Sequence, residues 1–543
     1  MFIYTSPTYV WHKPSVSPLY KYNEKNHIGK RSTLLTSKGI DFLISRCYSK
    51  KKVESSTQPS PYIHYHPYFY THYPTHPNTY HFINDVENTS NNKESEASVK
   101  YDVSEDYTSC KYVVNHTNSP LFQSATYTIK VPSKVEYALR RHMPKTLLKE
   151  IHPDIDVAIE LCLLFTSQLS RTYFTWKDGS NPDGWKALKA AYLRRLFAYE
   201  ANTYKKIREV LETPLMNGAI IECDYEEKIG AKCFYHRLTD NYIGKGITSY
   251  ELKTKLARKL RLEYHQQRLK ESSNNPICIN LFQLYAKITL PTIEEIKSEA
   301  KKLIKLGYVS KKGKQLTSLN KHKKEYYSNA TDRTFVEDGL EIFDYLTSGG
   351  LILPKITKEF AGGRIVDSFV LMPSYIRNMC KIEGQPIVEV DFACLHPNIA
   401  IALYGGKQEF ISHKMISDQL SIPITQVKKE HLSFFNKHPK EMQKSPLYNY
   451  YMETEPVMMK NLIREKYANS RRYKITSQKM FEMEVEIVTD VVRQLSSEGI
   501  CVGYVYDALF CTPEHAQRVK QVMDEQVKKH GVMTNAKISS PHV

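Results

Sequence analysis

Apolar residues recur at helical spacing along most of the chain beyond about residue 133. Val157, Leu161, Leu164 and Phe165 fall on one helical face. A second helix is predicted over roughly 185–198, and a third from Tyr204, with Ile207, Val210 and Leu211 facing inward. Gly218 then precedes two short apolar runs, Ala219–Ile221 and Cys233–Tyr235, with a turn at Glu226–Gly230 between them. The next helix, Tyr250–Leu262, carries Lys253, Lys255, Arg258, Lys259 and Arg261. Another starts at Thr292, where Thr292 and Glu295 make a capping-box pair and Gly307 suits the stop.

Two places break this rhythm. Pro386–Ala393 is a short β-rich run in which alternation puts Val388 and Val390 on one face and Ile387, Glu389 and Asp391 on the other. Pro397 follows at a plausible first helical position, and a helix runs on to Gly405. Further on, Phe481, Val485, Val488, Val492 and Leu495 recur at intervals of 4, 3, 4 and 3, one side of a long amphipathic helix that Gly499 ends. Ile500–Cys511 then reads as two short strands meeting near Asp507, and Thr512-Pro513 opens a last helix. The sum is an α+β chain. Its first helices and two-stranded hairpin resemble a winged helix, a unit that often binds duplex DNA; a docking or purely structural wing fits as well.

Composition sharpens the picture. The chain has 543 residues, 41% hydrophobic and 25% charged, with no apolar run long enough to span a bilayer. Lys and Arg number 76 against 58 Asp and Glu, a net charge of +18 that favours polyanionic partners. The 10 cysteines are scattered without a Cys-x-x-Cys pair, which fits a reducing compartment and excludes a zinc ribbon. Residues 1–50 hold only Glu24 and Asp41 as acids against eight Lys and Arg, and 33–49 is hydroxyl-rich with Arg46 near its end. That resembles a mitochondrial presequence; a basic tail is the other reading. Residues 51–130 read as low-complexity and largely disordered, with Tyr, His, Pro and Thr interleaved over 62–82 and without periodicity. The remaining divisions expected are a helical, winged-helix-like domain at 131–290, a helical thumb-like linker at 291–360, and a C-terminal domain at 361–543.

The chemistry concentrates in that last domain. Asp391 and Asp507 each sit where a strand ends, open to a ligand. Two such carboxylates suit two-metal phosphoryl transfer, in which one cation activates an attacking hydroxyl and the other steadies the leaving group. Hard oxygen ligands favour Mg²⁺.

Val388-Glu389-Val390-Asp391-Phe392 followed by a helix resembles motif A of family A DNA polymerases. The helix 480–496, the strand Val502–Tyr506 and Asp507 resemble their palm helix and motif C. The run Asp391-Phe392-Ala393-Cys394-Leu395-His396-Pro397 is similar to divergent phage- and plasmid-type members. The resemblance implies a right-hand palm and fingers, a DNA template–primer, nucleoside triphosphates, no membrane, and two Mg²⁺ ions. Asp391, Asp507 and the Phe392 carbonyl would hold the metals. Lys428, with Lys429 second, would meet the triphosphate from the fingers helix, and Arg377 would add a cation. Arg364 would touch template or primer, or else form a structural salt bridge. The chain departs from the pattern at Tyr506-Asp507-Ala508, where His-Asp-Glu is usual, and at His396, which takes the place of the sugar-gate Glu. Tyr506 and His396 would both border the nucleotide. No proofreading site is expected. A phage-type single-subunit RNA polymerase and a DNA-binding replication initiator with a degenerate palm are the alternatives.

Overall fold

The computed structural model describes residues 121–197, 202–228, 231–310, 313–319, 332–357, 361–469 and 473–539. The presequence-like segment, most of the low-complexity stretch and part of the lysine-rich segment 297–324 lie outside the described residues. No helix among the described residues is long and apolar enough to cross a membrane.

Residues 121–130, at the end of the stretch expected to be low-complexity, are folded. Phe122 is buried and bridges Leu351, and β1 (Thr128–Pro132) pairs antiparallel with the distant strand Ile247–Glu251. Its neighbour α1 (Ile155–Ser167) is buried on every side from Val157 to Thr166, so its apolar residues are not confined to one face. Its Asp154 cap accepts from Asp156 and Val157.

Two helix boundaries differ from expectation. Residues expected to start a helix at 185 instead form β2 (Lys186–Leu188), and the helix α2 is shorter, Ala190–Leu196. After α3 (Thr203–Glu212) comes the expected hairpin, β3 (Ile221–Lys228) and β4 (Ala231–Leu238). β2 extends this hairpin into a three-stranded sheet, and that pairing overrides the local helical pattern. Likewise Tyr250 lies in β5 (Ile247–Glu251), the partner of β1, and the helix begins later as α4 (Lys255–Ser272). The cause is Glu160 on α1. It is fully buried and accepts from Tyr250 Oη (3.0 Å) and from the amides of Lys253 (2.6 Å) and Thr254 (2.9 Å), fixing a turn just before Thr254 caps the helix. These elements enclose one core, built from residues between Ile129 and Leu260.

A second, larger core joins Phe122 to residues between Ile277 and Ala536. It takes in α5 (Pro276–Tyr285) and α6 (Ile293–Lys305), where the Thr292–Glu295 capping box forms as expected. Its centre is a four-stranded antiparallel sheet: β6 (Val388–Phe392) lies between β8 (Ala508–Cys511) and β9 (Ala536–Ser539), and β7 (Gly503–Val505) flanks β8. The chain leaves β6 into α7 (Leu395–Tyr404), with Pro397 in its first turn but not at its first residue. Then follow α8 (His413–Leu420), α9 (Ile424–Phe434), α10 (Pro456–Ala468), the 23-residue α11 (Ile475–Ser497) and, after the sheet's hairpin, α12 (Ala516–Lys529).

One buried cation ties the helical part together. Lys466 on α10 is 1% exposed, and its ammonium donates to the carbonyls of Phe435 (2.7 Å), Tyr473 (3.0 Å) and Lys437 (3.1 Å). Lys466→Met would strip these carbonyls of a shared donor at nearly constant volume. The expected cost is about 3 kcal/mol, seen as a lower urea midpoint with an unchanged slope. A midpoint equal to the parent's would show that water replaces the ammonium.

Candidate active site

Register brings the two aspartates together. Asp391 faces Ala508 across the β6–β8 ladder, and the amide of the next residue, Phe392, donates to the carbonyl of Asp507 at 3.5 Å. A separation of over a hundred residues is thus closed, with Asp507 one residue before the cross-strand partner of Asp391. Asp507 itself lies in the two-residue turn between β7 and β8, whose closing pair is Val505–Ala508. A turn so tight demands a left-handed residue, and Tyr506 supplies it at φ +60° without being glycine. Cys394, three residues after Asp391, is likewise left-handed at φ +57°. Non-glycine residues in this region are uncommon, and here two of them flank the two carboxylates. Both aspartates are half-buried.

Beneath Asp507 lies a buried charge cluster that the sequence pattern does not reveal. Glu484 of α11 is 0% exposed. Arg364 grips it with two nitrogens, at 2.7 and 2.5 Å, and His396 Nε2 meets its Oε2 at 2.7 Å. The Arg364 guanidinium sits 3.8 Å from the Phe481 ring centroid and 4.6 Å from that of Tyr506, a cation held between two aromatic faces. Gly362 makes the approach possible: at φ +61°, a Cβ there would stand 2.5 Å from Phe481 Cβ and 2.6 Å from the Glu482 amide nitrogen. Burial pushes Glu484 up, but Arg364 and then His396 outweigh it and hold its carboxyl at about 2. Burial, then the nearby Glu484 charge, push the Asp507 carboxyl up, and His396 and Arg364 offset this in part.

The other expected contacts sort by geometry. Arg364 takes the salt-bridge alternative, since its guanidinium is 9% exposed and committed to Glu484. His396 is partly exposed and anchored through Glu484. Tyr506 is buried against Arg364. Arg377 is 4% exposed, and its NH1 donates to the carbonyls of Phe369 (3.2 Å), Met372 (3.4 Å) and Val370 (3.5 Å). Such a guanidinium fastens its own turn against the sheet and is not presented to a triphosphate. Lys428 and Lys429 are both exposed on α9. The Lys428 charge bears on Cys394 and on His413, whereas that of Lys429 bears on its neighbour Glu430. Of the two, the Lys428 charge is thus the one that bears on the β6–α7 junction, at Cys394.

One cation was not anticipated. Lys537 of β9 is the cross-strand partner of Asp391 and is exposed. Cross-strand partners share a sheet face, with Cβ atoms about 5 Å apart. Burial, then the charges of Lys428 and Lys537, push His413 down to about 4.

Hard carboxylate oxygens with few other protein donors suit Mg²⁺, which keeps most of its shell for water and phosphate. Asp391 and Asp507 would offer such oxygens; among the described residues no group of three or more His, Cys, Asp or Glu is placed to hold a metal ion. The raised Asp507 carboxyl also fits: a divalent cation would offset the burial and the Glu484 charge.

No family model matches the chain, and no curated protein matches it. Among solved structures it is similar to the POL domain of Pol1 from M. smegmatis in complex with DNA primer-template and dNTP, with a TM-score of 0.33 and 13% identity, over 52% of this chain and 73% of that chain.

Proposed function

We propose that the protein adds deoxynucleotides to a primer 3′-end under the direction of a DNA template. The observation that carries this reading is the adjacency of Asp391 and Asp507 on paired strands of an antiparallel sheet, one at a strand's end and the other in the facing turn. Asp391, Asp507 and the Phe392 carbonyl would hold Mg²⁺, which when bound supplies activation of the primer hydroxyl and neutralisation of the triphosphate. The chain's own part is positional. The left-handed Tyr506 turns Asp507 toward β6. Lys428 and Lys537 present two cations on the Asp391 side, suited to the phosphates of an incoming nucleotide. Glu484 orients His396 at the place where a sugar gate belongs.

The test is primer extension with deoxynucleotides and ribonucleotides in parallel, on one primed DNA template with Mg²⁺. Incorporation of deoxynucleotides is the expected result; preference for ribonucleotides would favour the single-subunit RNA polymerase, and Mg²⁺-independent DNA binding without incorporation would favour the initiator. If His396 sets the choice of sugar, His396→Ala should raise ribonucleotide incorporation relative to deoxynucleotide by roughly tenfold, the scale of one pocket contact. An unchanged ratio with normal deoxynucleotide extension would remove that role.

A further inference from the structure

Beside α4, cations crowd together with little acid to balance them. Arg171 follows α1, Lys186 lies in β2, Arg195 in α2 and Arg268 in α4, while Lys355 begins the short strand Lys355–Ile356, paired antiparallel with Ile365–Val366. Among the described residues the acid placed with them is Glu271, which Arg195 meets at 3.1 Å and Arg268 at 2.9 Å. The side chains of Arg171 and Lys355 form no ion pair or hydrogen bond with a described residue; the Lys355 ammonium instead lies 5.9 Å over the Tyr192 ring. That ring stands edge-on to Tyr264, 6.1 Å away.

These groups lie side by side: the Lys186 ammonium donates to the Gln168 carbonyl, Tyr192 Oη donates to Gln168 Oε1, and the Lys355 ammonium stands over the same Tyr192 ring. Lys355 is exposed by area, yet burial is the first cause that pushes its ammonium down to about 8, followed by Arg268 and Arg171. Lys186 is pushed to about 7 by burial, then by Arg171 and Lys355. The cluster also adjoins the site above, because the Arg171 charge bears on Tyr506, the residue before Asp507. Like charges held together repel one another and focus a positive field outward, an arrangement that a polyanion relieves.

We propose that Arg171, Lys186, Arg195, Arg268 and Lys355 form a phosphate track that holds one strand of a nucleic acid and leads it to the Asp391–Asp507 turn. The track rests on the polymerase reading for where the strand leads, and on charge placement alone for what it binds. Tyr192 and Tyr264 add ring faces beside the cations, as single-strand channels combine the two.

The experiment is fluorescence anisotropy of a labelled primed template across a salt series, with wild type and the double variant Lys186→Ala/Lys355→Ala. The double variant should bind about tenfold more weakly near 0.1 M salt and lower the slope of log K against log salt by about 1–2, one for each phosphate no longer neutralised. Single Lys355→Ala serves as the milder version if the pair melts early. Affinity and slope within twofold of wild type, with a native melting curve, would overturn the track. So would an equal loss from Lys255→Ala/Lys259→Ala on the exposed side of α4, because generic charge would then suffice. Inorganic tripolyphosphate that displaces nothing from wild type at millimolar concentration supports a strand; displacement at micromolar concentration marks a small-anion site and overturns the proposal. Failure of wild type to extend a primer, with these binding changes intact, would count against the polymerase reading and leave the track standing.

Discussion

Asp507→Asn should lower primer extension by ~10³-fold or more, about 4 kcal/mol at 1.36 kcal/mol per decade, while primed-template affinity stays within about twofold. The substitution keeps the volume and the turn but removes half of the carboxylate charge that faces a cation. Asp391→Asn should do the same, and the double variant should be hardly worse than either single one, because two ligands of one metal pair act as a unit. Titrating Mg²⁺ separates the causes: an orphaned metal site is not rescued at high concentration, whereas a merely weakened one is. Extension by Asp507→Asn at the parental rate would remove the mechanism outright. Loss of DNA binding in parallel with extension would instead show that the turn had unfolded, and thermal melting distinguishes that outcome.

Much of this site is legible in the sequence because it depends on local signals. β6 alternates, α11 has a period near 3.6, and the turn at Asp507 lies between two short apolar runs. What is not legible depends on partners distant in the chain. Lys537 gains meaning only from its register with Asp391, and β9 carries no motif. Glu484 sits on the buried side of α11, where an acid looks like an interruption of the apolar stripe; Val485, which fits the stripe by spacing, is only partly buried. Arg377 misleads for the opposite reason, since a lone arginine ahead of a strand looks available until the carbonyls it fastens are seen. In the first core, β2 and β5 read as helix because their residues tolerate either state and cross-strand partners decide. The cationic face expected on α4 is also partly consumed: Arg258 donates to the Leu252 carbonyl at 2.6 Å and Arg261 to that of Gln123 at 2.8 Å, leaving Lys253, Lys255 and Lys259 outward.

Glu484→Gln should destabilise the protein by about 3–5 kcal/mol, the cost of leaving a buried partner uncompensated. The stranded group is Arg364, largely buried between Phe481 and Tyr506. Arg364→Met alone should cost a similar amount, whereas Arg364→Met/Glu484→Met should recover most of it, because the pair leaves together and apolar volume fills the space. The pH dependence follows from the sign of the shift. Glu484 is held at about 2, below its unfolded value near 4.3, so its contribution is complete above pH ~5 and is lost as pH falls toward 2. Wild type should therefore lose more stability than Glu484→Gln between pH 5 and pH 3, and equal losses in urea titrations at the two pH values would contradict the pairing. Function should move as well. Without Glu484, the Arg364 charge is left to Asp507, competing with the cation that the turn is built to face, so the variant should need more Mg²⁺ for half-maximal extension than the double Met variant does. That difference separates a charge effect on Asp507 from simple loosening of α11, since loosening alone would leave the Mg²⁺ requirements of the two variants alike.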